Sequence, residues 1–398
     1  MRRLFAFFLL LVLAFAIFQP ARAQSAVEVT DWSVDYDFGG YVNFKARLVS
    51  PSPVTDTVIL FRAQGETNTR SERITISPEG NVDFTYTFAQ GPIRPFARVN
   101  FWFYVTLQNG EQVNTPENSF VYADNRFPWQ TLEDGNLRVH WYAGDVDFGH
   151  AALDTARTGL QRTGEKLSVS LNRPLDMYIY STAADLQTAL DIGGQTAMGG
   201  HASPDLGVAL VSIAPGDNQG TEMDREIPHE LAHILTYELT GERYSRLPVW
   251  LREGIASMAE LSPNPDHARA ISLAVEKRAL IPISELCGSF PPDMARIFLA
   301  YAESVSFTRF ISNKYGTTGL VSLIQAYADG LDCEQGAAKV FARPLSQVES
   351  DWRASELGEN KGAAALQNLF PYIAVLGIIL VVPLALAFTS PKRLKDEF

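Results

Sequence analysis

Alternation is the first signal along this chain. From Val27 to about Ala123 apolar side chains recur every second position, as in Val42, Phe44, Ala46 and Leu48, and again through the aromatic run Val99 to Leu107. A period of two marks half-buried β-strands. Ile74 to Ser77, then Pro78-Glu-Gly-Asn81, then Val82 to Phe88 reads as a hairpin, and Asn109-Gly110 as a tight turn. Strands at this spacing predict an all-β sandwich of immunoglobulin or fibronectin type over residues 24–125, without the antibody-type cysteine pair. Nothing in it suggests chemistry; it reads as a spacer or interaction module.

After a linker-like Asp124-Asn-Arg-Phe-Pro-Trp129 the pattern becomes mixed. Strands are expected at Leu137 to Trp141, Met177 to Tyr180 and Gly207 to Ile213, and helices at Phe148 to Leu167 and Ala183 to Leu190. Further helices run to about Trp352, so strands precede helices in an α+β arrangement over residues 126–357. Gly358 to Gln367 is Gly/Ala-rich and reads as a tether.

Both ends are strongly apolar. Arg2 and Arg3 precede a run from Leu4 to Phe18 and the small-x-small Ala21-Arg22-Ala23, which predicts a signal peptide over 1–23. A charge-free stretch over 368–388 is long enough for one transmembrane helix, in which Pro383 is tolerable. Lys392, Arg393 and Lys395 follow in a short tail, 389–398, and the positive-inside rule keeps them cytoplasmic. The expectation is a single-pass membrane protein whose ectodomain is extracytoplasmic and whose lipid contact is this C-terminal helix.

The net charge of −12 becomes −15 once Arg2, Arg3 and Arg22 leave with the signal. That argues against nucleic acid as a partner. Cys287 and Cys333 are the chain's two cysteines. In an oxidising compartment they are expected to form a disulfide closing a loop of about 45 residues.

The chemistry concentrates in His-Glu-Leu-Ala-His, residues 229–233. Residues four apart share one helical face, so His229 and His233 can aim two imidazoles at one ion. Glu230 lies about 100° further round, at the edge of such a site, where a general base for an activated water belongs. Ile227, Leu231, Ile234, Leu235 and Leu239 supply the apolar face of this helix. Asp224 is expected to cap it, with Pro228 near its first turn and Gly241 at its end. With six histidines among 398 residues, an accidental HExxH is on the order of 1% per chain.

After nineteen intervening residues, 234–252, comes Glu253, within Trp250-Leu-Arg-Glu253-Gly-Ile-Ala. HELAH followed at this spacing by such a glutamate resembles the gluzincin zinc metallopeptidases of peptidase MA-like type, over about residues 126–355. The resemblance implies a zincin-type fold, one catalytic Zn²⁺ bound by His229, His233 and Glu253, Glu230 as catalytic acid/base, and peptide or protein as substrate. Trp250, Leu251, Ile255 and Met258 give Glu253 apolar surroundings, which suits a liganded carboxylate. Glu238, Glu242, His201 and His267 are the other ligand-capable residues for the third position. Gly254 and Ala256 are expected to let the Glu253 helix pack closely on the motif helix. Gluzincins also use a Tyr or His donor for the oxyanion; Tyr301, and after it His201 beside Gly199-Gly200, are the candidates. The strand Gly207 to Ile213 is where an extended substrate is expected to add at a sheet edge. One departure stands out: where gluzincins often place an imidazole-orienting Asp, four residues after the third ligand, this chain has Ser257. A binding or adhesion protein with a zinc-holding but weakly active peptidase fold is the alternative reading.

Overall fold

The computed structural model describes residues 27–194, 199–359, 369–373, 375–379 and 381. The expected signal peptide (1–23), the cytoplasmic tail (389–398) and most of the tether lie outside the described residues, as does much of the expected span over 368–388. Among the described residues, no helix is long and apolar enough to cross a membrane. The chain divides into two compact units, residues 1–154 with 172–226, and residues 155–171 with 227–398.

The first unit opens with eight strands: β1 (Glu28–Asp37), β2 (Tyr41–Val49), β3 (Val54–Ala63), β4 (Arg70–Ile74), β5 (Asn81–Thr87), β6 (Arg98–Leu107), β7 (Gln112–Asn114) and β8 (Asn118–Val121). They form two sheets, β1-β2-β5 and β4-β3-β6-β7, with β8 also pairing β6. The alternating residues meet between the sheets. Val42, Phe44, Phe101, Phe103 and Val105 are fully buried, and the Phe44 ring lies 5.3 Å from both Phe61 and Phe101.

The expected hairpin forms only its turn. Gly80 donates to Ser77 at 2.9 Å, but β4 then pairs β3 while β5 pairs β2, in the other sheet. Either pairing satisfies the alternation, so periodicity could not choose between them. Gly80 itself is required, because it has φ +85° and a Cβ there would sit 2.2 Å from the Leu48 carbonyl.

A third sheet, in the order β12-β13-β11-β10-β9, belongs to the same unit. Its strands are β9 (Gln130–Asp134), β10 (Leu137–Trp141), β11 (Leu175–Tyr180), β12 (Gly200–Ser203) and β13 (Val208–Ser212). Helix α1 (Val146–Leu167) follows β10, and α2 (Ala183–Ile192) follows β11. The expected linker at Asp124–Trp129 is packed structure. Asp124 is 2% exposed, pairs with Arg126 and accepts from Tyr180 Oη at 2.9 Å, and the Phe127 ring stacks on Tyr142 at 4.1 Å. Its polar composition read as a linker; its aromatics and its buried ion pair make it part of the core. The Phe96 and Tyr178 rings, 4.7 Å apart, extend one core across all three sheets, so no boundary falls at 125/126. Strand β13 is interior; β12 and β9 are the sheet's edges, so the expected edge at Gly207 to Ile213 does not exist.

The second unit is helical. It holds the later part of α1, most of α3 (Gln219–Thr240), and α4 (Val249–Ala259), α5 (Asp266–Lys277), α6 (Met294–Ala328, broken at Gly316), α7 (Cys333–Phe341) and α8 (Leu345–Glu356). Trp250, Phe307 and Trp352 form its aromatic centre, with the Phe307 ring 5.0 Å from Trp250 and 5.5 Å from Trp352. Cys287 and Cys333 are bonded, with Cα atoms 6.4 Å apart. Gly254 faces α6 rather than the motif helix: a Cβ there would lie 2.1 Å from Thr308 Oγ1 and 2.5 Å from the Ser304 carbonyl. The small residue lets α4 and α6 touch backbone to backbone, which fixes the pitch of the helix carrying Glu253.

Candidate metal centre

The motif helix is longer than its caps suggested. It starts at Gln219, so Asp224 is interior and Pro228 sits mid-helix. Proline removes one i→i−4 hydrogen bond. Its ring is buried instead against α1, where a Cβ on Gly159 would lie 3.0 Å from Pro228 Cβ. Gly241, at φ +60°, ends the helix as expected from a left-handed C-terminal glycine. Ile227, Leu231, Ile234 and Leu235 are buried at 0–1% exposure, while Leu239 is half-buried. This apolar stripe anchors the helix and leaves the adjacent histidine face toward α4.

His229, His233 and Glu253 converge. Their ligand-capable atoms all lie within 4.8 Å of one another. Glu253 Oε2 is 3.7 Å from Nε2 of each histidine. Burial disfavours charge on Glu253, yet the facing imidazoles and Arg252 hold its carboxyl down at about 2. Burial also works against protonation of His229, but Glu253, Glu260 and Glu230 outweigh it and raise its pKa well above the usual imidazole value. Three negative groups therefore surround the two rings, a setting for a cation. Glu230 is 5% exposed, on the same turn as His229.

Behind the rings lie two residues that the motifs did not reveal. His229 Nδ1 is 3.2 Å from Glu260 Oε1, and His233 Nδ1 is 2.9 Å from Tyr244 Oη. Glu260 directly follows α4, its side chain 5% exposed, and Tyr244 lies in the 3₁₀ turn Gly241–Arg246. The Arg252 guanidinium sits over the Tyr244 ring at 5.4 Å. Ser257 is buried, and the carboxylate meeting the imidazole is Glu260, three residues later. The only sequence signal for Glu260 was an acid one helical turn beyond Ser257.

The other candidates fall in different places. The Tyr301 ring centroid is 6.5 Å from that of His229, and Phe290 packs edge-on to Tyr301 at 5.0 Å. His201 lies on β12 in the first unit, with Nε2 3.4 Å from Ser203 Oγ. His267 packs on Phe298 at 5.1 Å, and Glu242 accepts a hydrogen bond from Tyr237. Neither joins the His229–His233–Glu253 group, nor does Glu238.

Zinc fits this donor set. Bonds of about 2.0–2.2 Å at tetrahedral angles put neighbouring donors about 3.3–3.6 Å apart. The 3.7 Å separations are within a small side-chain adjustment of that. Two nitrogens and one carboxylate oxygen also match zinc's preferences.

Residues 155–358 match the family described as the Peptidase MA superfamily. No curated protein matches the chain. Among solved structures, an aminopeptidase N family protein from Idiomarina loihiensis aligns over 86% of this chain and 75% of its own, at 7% identity and TM-score 0.34. A carbohydrate-binding module family 56 β-1,3-glucan binding domain aligns over 22% and 94%, at 16% identity and TM-score 0.16. A chain described as a myokine structure aligns over 24% and 96%, at 6% identity and TM-score 0.20. Likenesses at such scores carry no argument about fold or activity. The family match, spanning just over half of the sequence and the whole helical unit up to Gly358, does: this chain belongs to the Peptidase MA superfamily.

Proposed function

We propose that the chain is a zinc-dependent metallopeptidase of gluzincin type, acting on peptide or protein substrates. The observation that carries this is the convergence of His229 Nε2, His233 Nε2 and the Glu253 carboxylate, with Glu230 buried beside them. His229, His233 and Glu253 would hold the ion. Zinc bound there supplies a Lewis acid for the scissile carbonyl and a water of lowered pKa. Glu230 takes the proton from the attacking water and returns it to the leaving amine, so a single carboxylate serves as base and then acid. Tyr301, which packs near His229, offers a hydroxyl to the developing oxyanion.

The segments at 1–23 and 368–388 are the signal and the anchor of a single-pass membrane protein, its peptidase unit on the extracytoplasmic side. The Cys287–Cys333 bond supports an oxidising compartment. The net negative charge of the chain supports a protein rather than a nucleic-acid partner.

Metal removal tests the activity. The purified full chain is expected to cleave an unfolded protein substrate, to stop after treatment with a chelator, and to recover with one equivalent of zinc. Cleavage that survives exhaustive chelation contradicts the proposal.

A further inference from the structure

We infer that Glu260 and Tyr244 are the positioning residues of the two imidazoles, and that Glu260 supplies to His229 the carboxylate missing at Ser257. The inference rests on the zinc-site reading above. An imidazole offers a lone pair at Nε2 only when its proton is on Nδ1, and that proton needs an acceptor. Both rings turn Nε2 toward Glu253 and Nδ1 away from it. Each Nδ1 then meets one oxygen, Glu260 Oε1 at 3.2 Å or Tyr244 Oη at 2.9 Å.

The two backings differ chemically. A carboxylate oxygen at this distance is a strong acceptor, so Glu260 favours the Nδ1–H form of His229 and makes its Nε2 a stronger donor. A phenol can accept or donate, so Tyr244 permits the correct form of His233 without compelling it. Arg252, over the Tyr244 ring, holds that phenol in place. His229 is therefore the better-fixed ligand, and zinc retention depends more on Glu260 than on Tyr244. Position also separates the two residues from the motifs. Glu260 is held where the chain leaves α4, and Tyr244 where it leaves α3, so each helix brings a ligand to the site and the following turn brings a support for a ligand on α3.

The test is zinc affinity of the full chain, by competition with a chromogenic chelator, together with the histidine ¹⁵N resonances of the zinc-loaded protein. Glu260→Ala is expected to weaken zinc binding about 10–100-fold. Glu260→Gln keeps an acceptor but loses the charge, and should fall between the alanine variant and the native chain. Tyr244→Phe should cost less than about tenfold. The native spectrum should show a strongly hydrogen-bonded His229 Nδ1–H that Glu260→Ala abolishes, while the melting temperature of the metal-free chain stays close to native. Native affinity in Glu260→Ala, beside a native chain that binds zinc, overturns the inference alone. So does a loss that merely follows a lowered metal-free melting temperature. A native chain that takes up no zinc overturns the zinc reading and this inference with it.

Discussion

Glu230→Gln is expected to keep its zinc and lose peptide hydrolysis by about 10²–10⁴-fold, the usual worth of a positioned general acid/base. The substitution is nearly isosteric and removes no ligand, since the ligand atoms come from His229, His233 and Glu253. It removes the group that accepts the water's proton. The amide also cannot repel or attract charge as Glu230 does at the His229 ring, so a modest change in metal affinity accompanies the loss. Rate and zinc content, measured on one preparation, separate the two effects. Turnover at the native rate with zinc in place would remove Glu230 from the mechanism. If both forms hold zinc and neither cleaves any substrate, the alternative of a zinc-holding fold used for binding is favoured instead.

The second large effect concerns stability. Glu303 on α6 is fully buried; Oε1 accepts from the Ile281 amide at 3.0 Å, and Oε2 has no hydrogen-bond partner among the described residues. Burial pushes its carboxyl from an ordinary value near 4.5 up to about 8. Between those values the unfolded chain has released a proton that the folded chain still holds, so this group makes native stability fall as pH rises from about 4.5 to about 8. Glu303→Gln keeps the acceptor for Ile281 and cannot ionise. Its urea-unfolding free energy should match native near pH 5 and exceed it by a few kcal/mol at pH 9, with the gap opening in between. Parallel pH curves for the two proteins would show that Glu303 is ionised at neutral pH after all.

What could be read from the sequence follows the range of the interactions involved. His229 and His233 share a face because of helical geometry alone, and Phe44 and Phe101 point inward because of strand geometry alone. Both are local facts. The pairing of β4 with β3 and of β5 with β2 is not local, since each strand's alternation suits either neighbour. Asp124 to Trp129 looked like a linker because its polarity was visible and its buried partners, Tyr180 and Tyr142, were far away in sequence. Gly254 packs closely, but on α6 and not on the motif helix, a partner out of reach of any spacing rule. Glu260 and Tyr244 escaped for the same reason: whether a side chain backs a ring depends on where a turn points it, not on how far it lies from a motif.

Zinc content of the purified full chain bears most directly on the central claim. The account predicts one zinc per native chain, retained on dilution into metal-free buffer, and sharply reduced retention in His229→Ala, His233→Ala and Glu253→Ala. A correctly folded native chain that purifies without zinc and takes none up on addition would contradict it.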